Sequence, residues 1–421
     1  MRAARRLPAV LRERDFRVFF LGQAVSDFGD KLVPVALAFA VLELTDSASA
    51  LGLVLLARTV PNIVFLLAGG VWADRLPRQQ VMQASNLVRG LSQGTFAALL
   101  LSGHAQLWQL VALAVVYGTA DAFFGPASTG LVQQVVAPER LQEANGVLSL
   151  SRSTLGIGAP ALAGLLVATI GAGSAIAIDA ATFWVSAATL ARLRPEPLAR
   201  VRASFVRELR DGWQEVTSRT WIWASIANFS LFQFACLAPY LVLAPVIARD
   251  SLGGASAYAA ISASAGAGAL LGGILTLRVR PRRPLQTCFA GVVVWAGVLV
   301  AYGVAAPVPL IAFAAVFGTA AMNLGSSLWF TALQEHVPRE SISRVSSYDW
   351  MGSMVFLPIG LALAGPAADA IGAGRTLLLA AAIGTIANGT MAFLPSVRAL
   401  GRVAAPGPPT EEPAPQVAAV A

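Results

Sequence analysis

The chain has 421 residues, of which 56% are hydrophobic and 12% charged, with a formal net charge of +8. A mean hydropathy of +0.68 leaves too little polar surface for a water-soluble globule of this length, so lipid is the solvent. The apolar runs are long and unbroken, which excludes the period-two alternation of a membrane barrel and leaves helices, each needing about 20 residues to cross a hydrocarbon core of about 30 Å.

In chain order the apolar runs fall at 16–43, 51–73, 80–101, 106–134, 141–168 and 172–192, and after a polar stretch at 221–248, 255–278, 285–304, 308–335, 342–370 and 374–396. They predict an all-α membrane protein of about twelve transmembrane helices in two halves. The expected organisation is an N-terminal segment over 1–15, a six-helix bundle over 16–193, a linker over 194–220, a second six-helix bundle over 221–397 and a tail over 398–421. In the linker, Phe205, Leu209, Trp213 and Val216 recur at roughly helical spacing among charged residues, which predicts an amphipathic helix lying on the membrane face. The tail, rich in Ala, Pro and Glu, is expected to be disordered.

Arginines fix the expected orientation, because short cytoplasmic loops collect basic residues. Arg2, Arg5, Arg6, Arg12 and Arg14 precede the first run, and Arg75, Arg78, Arg140, Arg278, Arg280, Arg282, Arg283, Arg398 and Arg402 follow on the same side, against Arg249 and Arg375 opposite. Both termini are therefore expected in the cytoplasm, with the protein multi-pass in the inner cell membrane. The positive charge then reflects topology, and no nucleic-acid partner is expected.

Internal similarity supports two pseudo-symmetric halves. Val116-Tyr-Gly118-Thr119-Ala120 recurs as Val316-Phe-Gly318-Thr319-Ala320 at an offset of 200, and Ile170-Gly171 recurs as Ile371-Gly372 one residue further on. An offset of six helices keeps the two halves in the same orientation.

Enzyme chemistry finds no footing. His104 and His336 fall in loops on opposite sides, and Cys236 and Cys288 lie in separate apolar runs, so neither a metal site nor a nucleophile triad assembles. Lys31 is the sole lysine, and its Gly-Asp-Lys-Leu context is not a phosphate-binding loop. No cofactor, metal or catalytic residue is expected.

Between the second and third runs stands Gly70-Val-Trp-Ala-Asp74-Arg75-Leu-Pro-Arg78. This resembles the loop motif Gly-x-x-x-Asp-Arg/Lys-x-Gly-Arg-Arg/Lys of the major facilitator superfamily, with Pro77 in place of the second glycine and Gln79 in place of the last basic residue. The resemblance covers Asp15 to Pro395 and implies the major facilitator fold. It further implies a conformational latch in which Asp74 sits at the N-terminus of a helix beginning near Ser341, with Arg344 as ion partner. Leu277 occupies the matching position of the second half, so the latch would be one-sided. Gly156-Ile-Gly158-Ala-Pro160-Ala-Leu-Ala-Gly164 is similar to the helix-bending signature in the fifth helix of proton-driven drug exporters. The arginine typical of the fourth helix of many such antiporters is absent, Ala114 standing there. Asp15-Phe-Arg17, Ser26-Asp27-Phe-Gly29-Asp30 and Asp179-Ala-Ala-Thr-Phe183 resemble the subfamily containing the enterobactin exporter and the macrolide-efflux proteins.

Charges inside spans are functional candidates, since each costs about 2.5 to 3.5 kcal/mol or more to insert. At 1.5 Å per residue, Asp27 and Arg152 both come out about 16 Å deep and are expected to pair, while Asp30, Lys31, Arg58 and Asp179 form a second layer about 10 Å from the opposite edge. Arg89 and Asp121 are expected toward the cytoplasmic side. Asp27, with Asp30 or Asp121 as alternatives, is the candidate proton carrier, tuned by an arginine. Phe123, Phe232, Gln233, Tyr240, Asn323 and Trp329 are candidate cavity residues for an amphipathic ligand. The expected function is a monomeric secondary transporter that exports small drug- or siderophore-like molecules by alternating access and proton antiport. Proton-coupled uptake of a metabolite, and a non-transporting scaffold or sensor, are the alternatives.

Overall fold

The computed structural model describes residues 9–193, 213–338 and 341–400, without the side chains of 66–75, 138, 343 and 344. Among the described residues there are helices and no strands. The first half contains α1 (Arg14–Thr45), α2 (Ala48–Arg75), α3 (Arg78–Leu101), α4 (Leu107–Val135), α5 (Leu141–Ile170) and α6 (Ala172–Leu190). The second contains α7 (Thr220–Leu252), α8 (Ala255–Arg278), α9 (Pro284–Gly303), α10 (Val308–His336), α11 in two pieces (Ile342–Met354 and Leu357–Ile371) and α12 (Ala373–Phe393). Ten of these are long and apolar enough to cross a membrane. The other two, α1 and α3, have the length but carry Asp27, Asp30, Lys31 and Glu43, and Arg89 among Gln, Asn and Ser. They are the helices that bear most of the polar site.

Two spans are interrupted next to prolines that line up with the candidate site. In α7 the helix widens to a π turn over Gln233–Leu237, with the Ala238 N–H bonding to the Gln233 carbonyl, immediately before Pro239. In α11 the helix stops at Met354 and resumes at Leu357, because Pro358 lacks the N–H that would continue the ladder.

The two halves repeat one pairing scheme. α2 and α3 pack on α4, and α3 on α6; correspondingly α8 and α9 pack on α10, and α9 on α12. The halves meet through α5 on α8 and α2 on α11, the two symmetry-related crossings. Helix boundaries put the structural offset at 201, with Leu107–Val135 against Val308–His336 and Ile170 against Ile371. The Val116/Val316 match at an offset of 200 is therefore one residue out of register, about 100° around a helix. Gly118 accordingly packs on the Arg58 carbonyl of α2, whereas Gly318 packs on Trp295 and Val298 of α9.

The apolar core divides into three. One cluster spans both halves on the side away from the termini, from Leu32–Leu42 of α1 through Val167 and Val242 to Leu361 of α11. On the termini side there are two separate clusters. Phe16, Phe19, Met82 and Leu131 belong to one half, and Trp221, Phe289, Trp329 and Leu333 to the other. The halves are thus joined on the far side and parted on the termini side. Residues 213–218 of the linker are helical, with Trp213 against Tyr348 and Val216 buried in the second half. The rest of the amphipathic segment and the tail from 401 lie outside the described residues.

A Cβ at position 118 would collide with backbone on α2, which cannot yield as a side chain can. Gly118→Val should therefore destabilise the bundle by about 1 to 3 kcal/mol. Gly297→Ala, where nothing lies within 4 Å of the added methyl, should be neutral or stabilising by up to about 1 kcal/mol. Thermal unfolding of the two purified variants in detergent checks both.

Candidate functional site

Where the halves part, a cavity of about 680 Å³ opens, lined on the N-terminal side by Gln23, Asp27, Asp30, Lys31, Arg89, Asp121 and Arg152 and on the other by Trp350. A second cavity of about 200 Å³ in the C-terminal wall is lined by Phe229, Phe232, Gln233, Trp329, Trp350 and Asp349 among others, so the two meet at Trp350. One wall is ionic and the other aromatic.

The ionic wall is organised by Arg89 of α3, which is 1% exposed. Its Nη1 lies 2.9 Å from Asp121 Oδ1 and 3.7 Å from Asp30 Oδ2, and its Nη2 donates to Asn86 Oδ1 at 2.5 Å. The guanidinium lies over the rings of Phe124 and Phe183, 4.1 and 4.4 Å from their centroids. Neutral groups complete the shell. Asn62 donates to Asp121 Oδ2 at 3.0 Å, the Tyr117 hydroxyl donates to Asp30 Oδ1 at 2.7 Å, and Asn86 donates to Ser186 at 2.9 Å. Arg58 lies over the Tyr117 ring at 4.1 Å.

Depth counted along the chain separates Arg89 and Asp121 from Asp30, and the structure corrects this: the Arg89 guanidinium joins both acids. The count locates Cα atoms, while an arginine carries its charge several bonds away along its own stem. Lys31 is exposed on the cavity wall. It is not the cation of Asp30; that is Arg89. Asp179 is fully buried and accepts from Gln93 at 2.8 Å, with its second oxygen lacking a hydrogen-bond partner beside Gly29. Asp27 and Arg152 meet, Nε to Oδ2 at 3.5 Å, with Arg152 55% and Asp27 17% exposed, and Gln23 donates to the other Asp27 oxygen at 2.7 Å.

Gly164 packs against Ala259, and the Gly156 carbonyl against Gly266, so the stretch containing Gly158 and Pro160 lies at the α5–α8 crossing between halves; Gly158 itself has no neighbour within 4 Å of an added Cβ. Of the latch residues, Arg78 donates to the Gly130 carbonyl at 2.8 Å, and Gln79 donates to the Leu190 carbonyl at 2.6 Å, tying α3 to α4 and α6. The latch contacts of Gly70, Asp74, Arg75 and Arg344 lie outside the described residues. Three of the cavity candidates, Phe232, Gln233 and Trp329, line the aromatic wall. The other three do not. Phe123 stacks on Phe65 and lines a groove between α3 and α4, Tyr240 packs edge-on to Trp295 and Tyr302 inside the second half, and Asn323 sits against Gly272 of α8. Helices apolar on every side give no signal of which face turns inward. Asp349 and Trp350, absent from the sequence-based site, belong to it. Asp349 was detectable as an acid within the eleventh run.

On the far side the gap is closed by polar contacts between halves. Ser49 donates to Asp369 at 3.0 Å, and Arg249 donates to the Leu42 carbonyl at 3.2 Å and pairs with Asp46 at 2.8 Å.

Among the described residues, twelve membrane-length segments in two repeated halves around a cavity with one ionic and one aromatic wall define a multi-span membrane transporter. Residues 19–360 match the Major Facilitator Superfamily, and the chain belongs to that family. It is 27% identical over 376 residues to the macrolide efflux protein A of Streptococcus pyogenes, covering 86% of this chain and 92% of that protein. It is 28% identical over 402 residues to the multidrug efflux pump Tap of Mycolicibacterium fortuitum, covering 90% and 95%. Among solved structures it resembles a bacterial homolog of the human lysosomal transporter Spinster (TM-score 0.69, 14% identity, 92% of this chain and 97% of that one). It also resembles the nucleoside transporter NupG (TM-score 0.71, 12% identity, 90% and 98%). These likenesses show the fold.

Replacing Arg89 strands Asp30 and Asp121 together, so Arg89→Met should cost about 3 to 5 kcal/mol. Arg152→Met, at an ion pair open to the cavity, should cost less than about 1 kcal/mol. Thermal unfolding in detergent should rank the two variants in that order.

Proposed function

We propose that this protein exports small amphipathic molecules by alternating access, exchanging them for protons through the N-terminal wall of the cavity. The observation that carries the reading is the asymmetry of the cavity: balanced charges on one wall, aromatic rings on the other, open on the termini side and shut on the far side. An amphipathic molecule finds a partner on each wall. The basic loops favour the termini side as cytoplasmic, so the cavity as described would load from inside. Efflux proteins among the relatives support export over uptake, and the family supports a transporter acting as a monomer on small-molecule substrates rather than an enzyme.

Asp27 is the proposed proton carrier. Its carboxylate faces the cavity, and its arginine partner is the most exposed of those paired there, so the pair can open as the cavity changes its access. Asp30 and Asp121 share the buried Arg89 and serve the proposal better as fixed counter-charges. Asp179, Arg58 and Arg89 then hold the bundle, while Gly158, Pro160 and Gly164 provide the surface on which the halves rock. Gly70, Asp74, Arg75, Arg78 and Arg344 remain the proposed latch that would close the termini side.

The test is drug and siderophore susceptibility of an efflux-deficient bacterial host. Expression of the wild type should raise resistance to some compounds. Asp27→Asn at equal membrane level, which retains a partner for Gln23, should lower efflux about tenfold or more, the scale of a lost coupling between sites. Full resistance in Asp27→Asn would remove that residue from the mechanism. Proton-driven accumulation of a substrate instead of its expulsion would replace export by uptake.

A further inference from the structure

The C-terminal wall holds a carboxylate that the proposed proton exchange leaves unused. Asp349, on the first piece of α11, is 5% exposed. Its Oδ2 accepts the indole N–H of Trp329 at 2.9 Å, and its Oδ1 accepts the Ser353 hydroxyl at a long 3.4 Å. Both donors are neutral. Every other acid on the cavity, namely Asp27, Asp30 and Asp121, has an arginine within 4 Å, whereas no ion pair reaches Asp349 among the described residues. The ionic wall, with Asp27, Asp30 and Asp121 against Lys31, Arg89 and Arg152, is already balanced. Asp349 is the acid left without a cation among the described residues.

A carboxylate taken out of water either takes up a proton or pairs with a positive charge, and a cation entering the cavity supplies the second. What surrounds this one is a ring of aromatic side chains: Phe229, Phe232, Trp329, Phe330 and Trp350 line the same cavity of about 200 Å³. The faces of such rings attract cations, and their bodies receive apolar substituents. Trp329 is fixed edge-on against Phe229 and Trp221, at 5.2 and 5.7 Å between centroids, so its N–H holds the carboxylate at a set angle. The weakly engaged Oδ1 is left for a ligand. Trp350, 53% exposed, stands where this cavity meets the larger one.

We propose that Asp349 and its aromatic surround form a binding site for lipophilic organic cations, that is, protonated amines or onium ions carrying an apolar body. The positive centre pairs with Oδ1 while its substituents rest on the rings and extend past Trp350 into the larger cavity. The proposal rests on the reading of that cavity as a substrate path and names the class of substrate it takes.

The test compares tetraphenylphosphonium with tetraphenylborate, ions of nearly the same shape and opposite charge, by tryptophan quenching of the purified full-length protein in detergent. The wild type should bind the phosphonium at least about tenfold more tightly than the borate. Asp349→Asn, which retains acceptors for Trp329 and Ser353, should erase that preference, and Asp349→Glu should keep part of it. Equal binding of the two ions, binding of neither, or an undiminished preference in Asp349→Asn would overturn the site. Should Asp349→Asn fail to fold, Trp350→Leu decides: it should weaken the phosphonium more than the borate, and equal weakening counts against the proposal. Equilibrium binding requires no flux, so a protein that discriminates the ions but moves no drug fails the transport reading alone. One that moves drugs but binds both ions equally fails only this inference.

Discussion

A guanidinium held almost without solvent in a membrane bundle is the constraint from which the N-terminal half is built. Leaving Arg89 unpaired in lipid would cost several kcal/mol, so the sequence supplies Asp30 and Asp121 from α1 and α4, Asn86 one turn back on its own helix, and the faces of the Phe124 and Phe183 rings. The contacts draw α1, α3, α4 and α6 to a common point. They also explain why α1 and α3 fall short of the apolarity of the other ten helices: most of their polar residues bond to α4, α5 and α6 or line the cavity.

The C-terminal half is stabilised differently. Its interior is apolar and aromatic, with Trp221, Phe229 and Trp329 packed edge to face and Asn228 paired with Asn388 at 2.8 Å. The two halves share a backbone plan, yet one presents balanced charge and the other rings with a single acid. A substrate between them is held by unlike walls, and the proton chemistry proposed for one wall does not compete with apolar binding on the other. The breaks at Gln233 and Pro358 fall beside residues of the aromatic wall, Phe232 and Gln233 on α7 and Ser353 and Met354 on α11.

Much of this was legible in the sequence. Run lengths locate the helices, and counting depth brings Asp27 to Arg152, which the structure pairs at 3.5 Å. The same count fails for Arg89, whose reach exceeds the difference it was asked to resolve. Asn62, Gln93 and Tyr117 complete the polar shell but are ordinary residues in a span, and only geometry reveals what they bond. Phe123, Tyr240 and Asn323 failed for another reason: in helices without a polar face, sequence says that a residue is buried in the membrane but not toward which neighbour. Asp349 carried the signal of an intramembrane acid, and Trp350 beside it carried none. The register of the internal repeat was one residue out in α4 and α10, where small residues recur often enough to match by composition.

In the proposed cycle the two halves rock against each other, so that the far-side closure and the termini-side opening exchange. Spin labels placed across the far side at Ser47 and Ala370, and across the termini side at Gln133 and Gln334, allow both distances to be measured in liposomes by pulsed dipolar spectroscopy. Rocking of the halves should give two populations in which the far-side distance lengthens as the termini-side distance shortens, their ratio moving with pH or added substrate. One fixed distance at both sites under all conditions, or the two distances lengthening together, would contradict it.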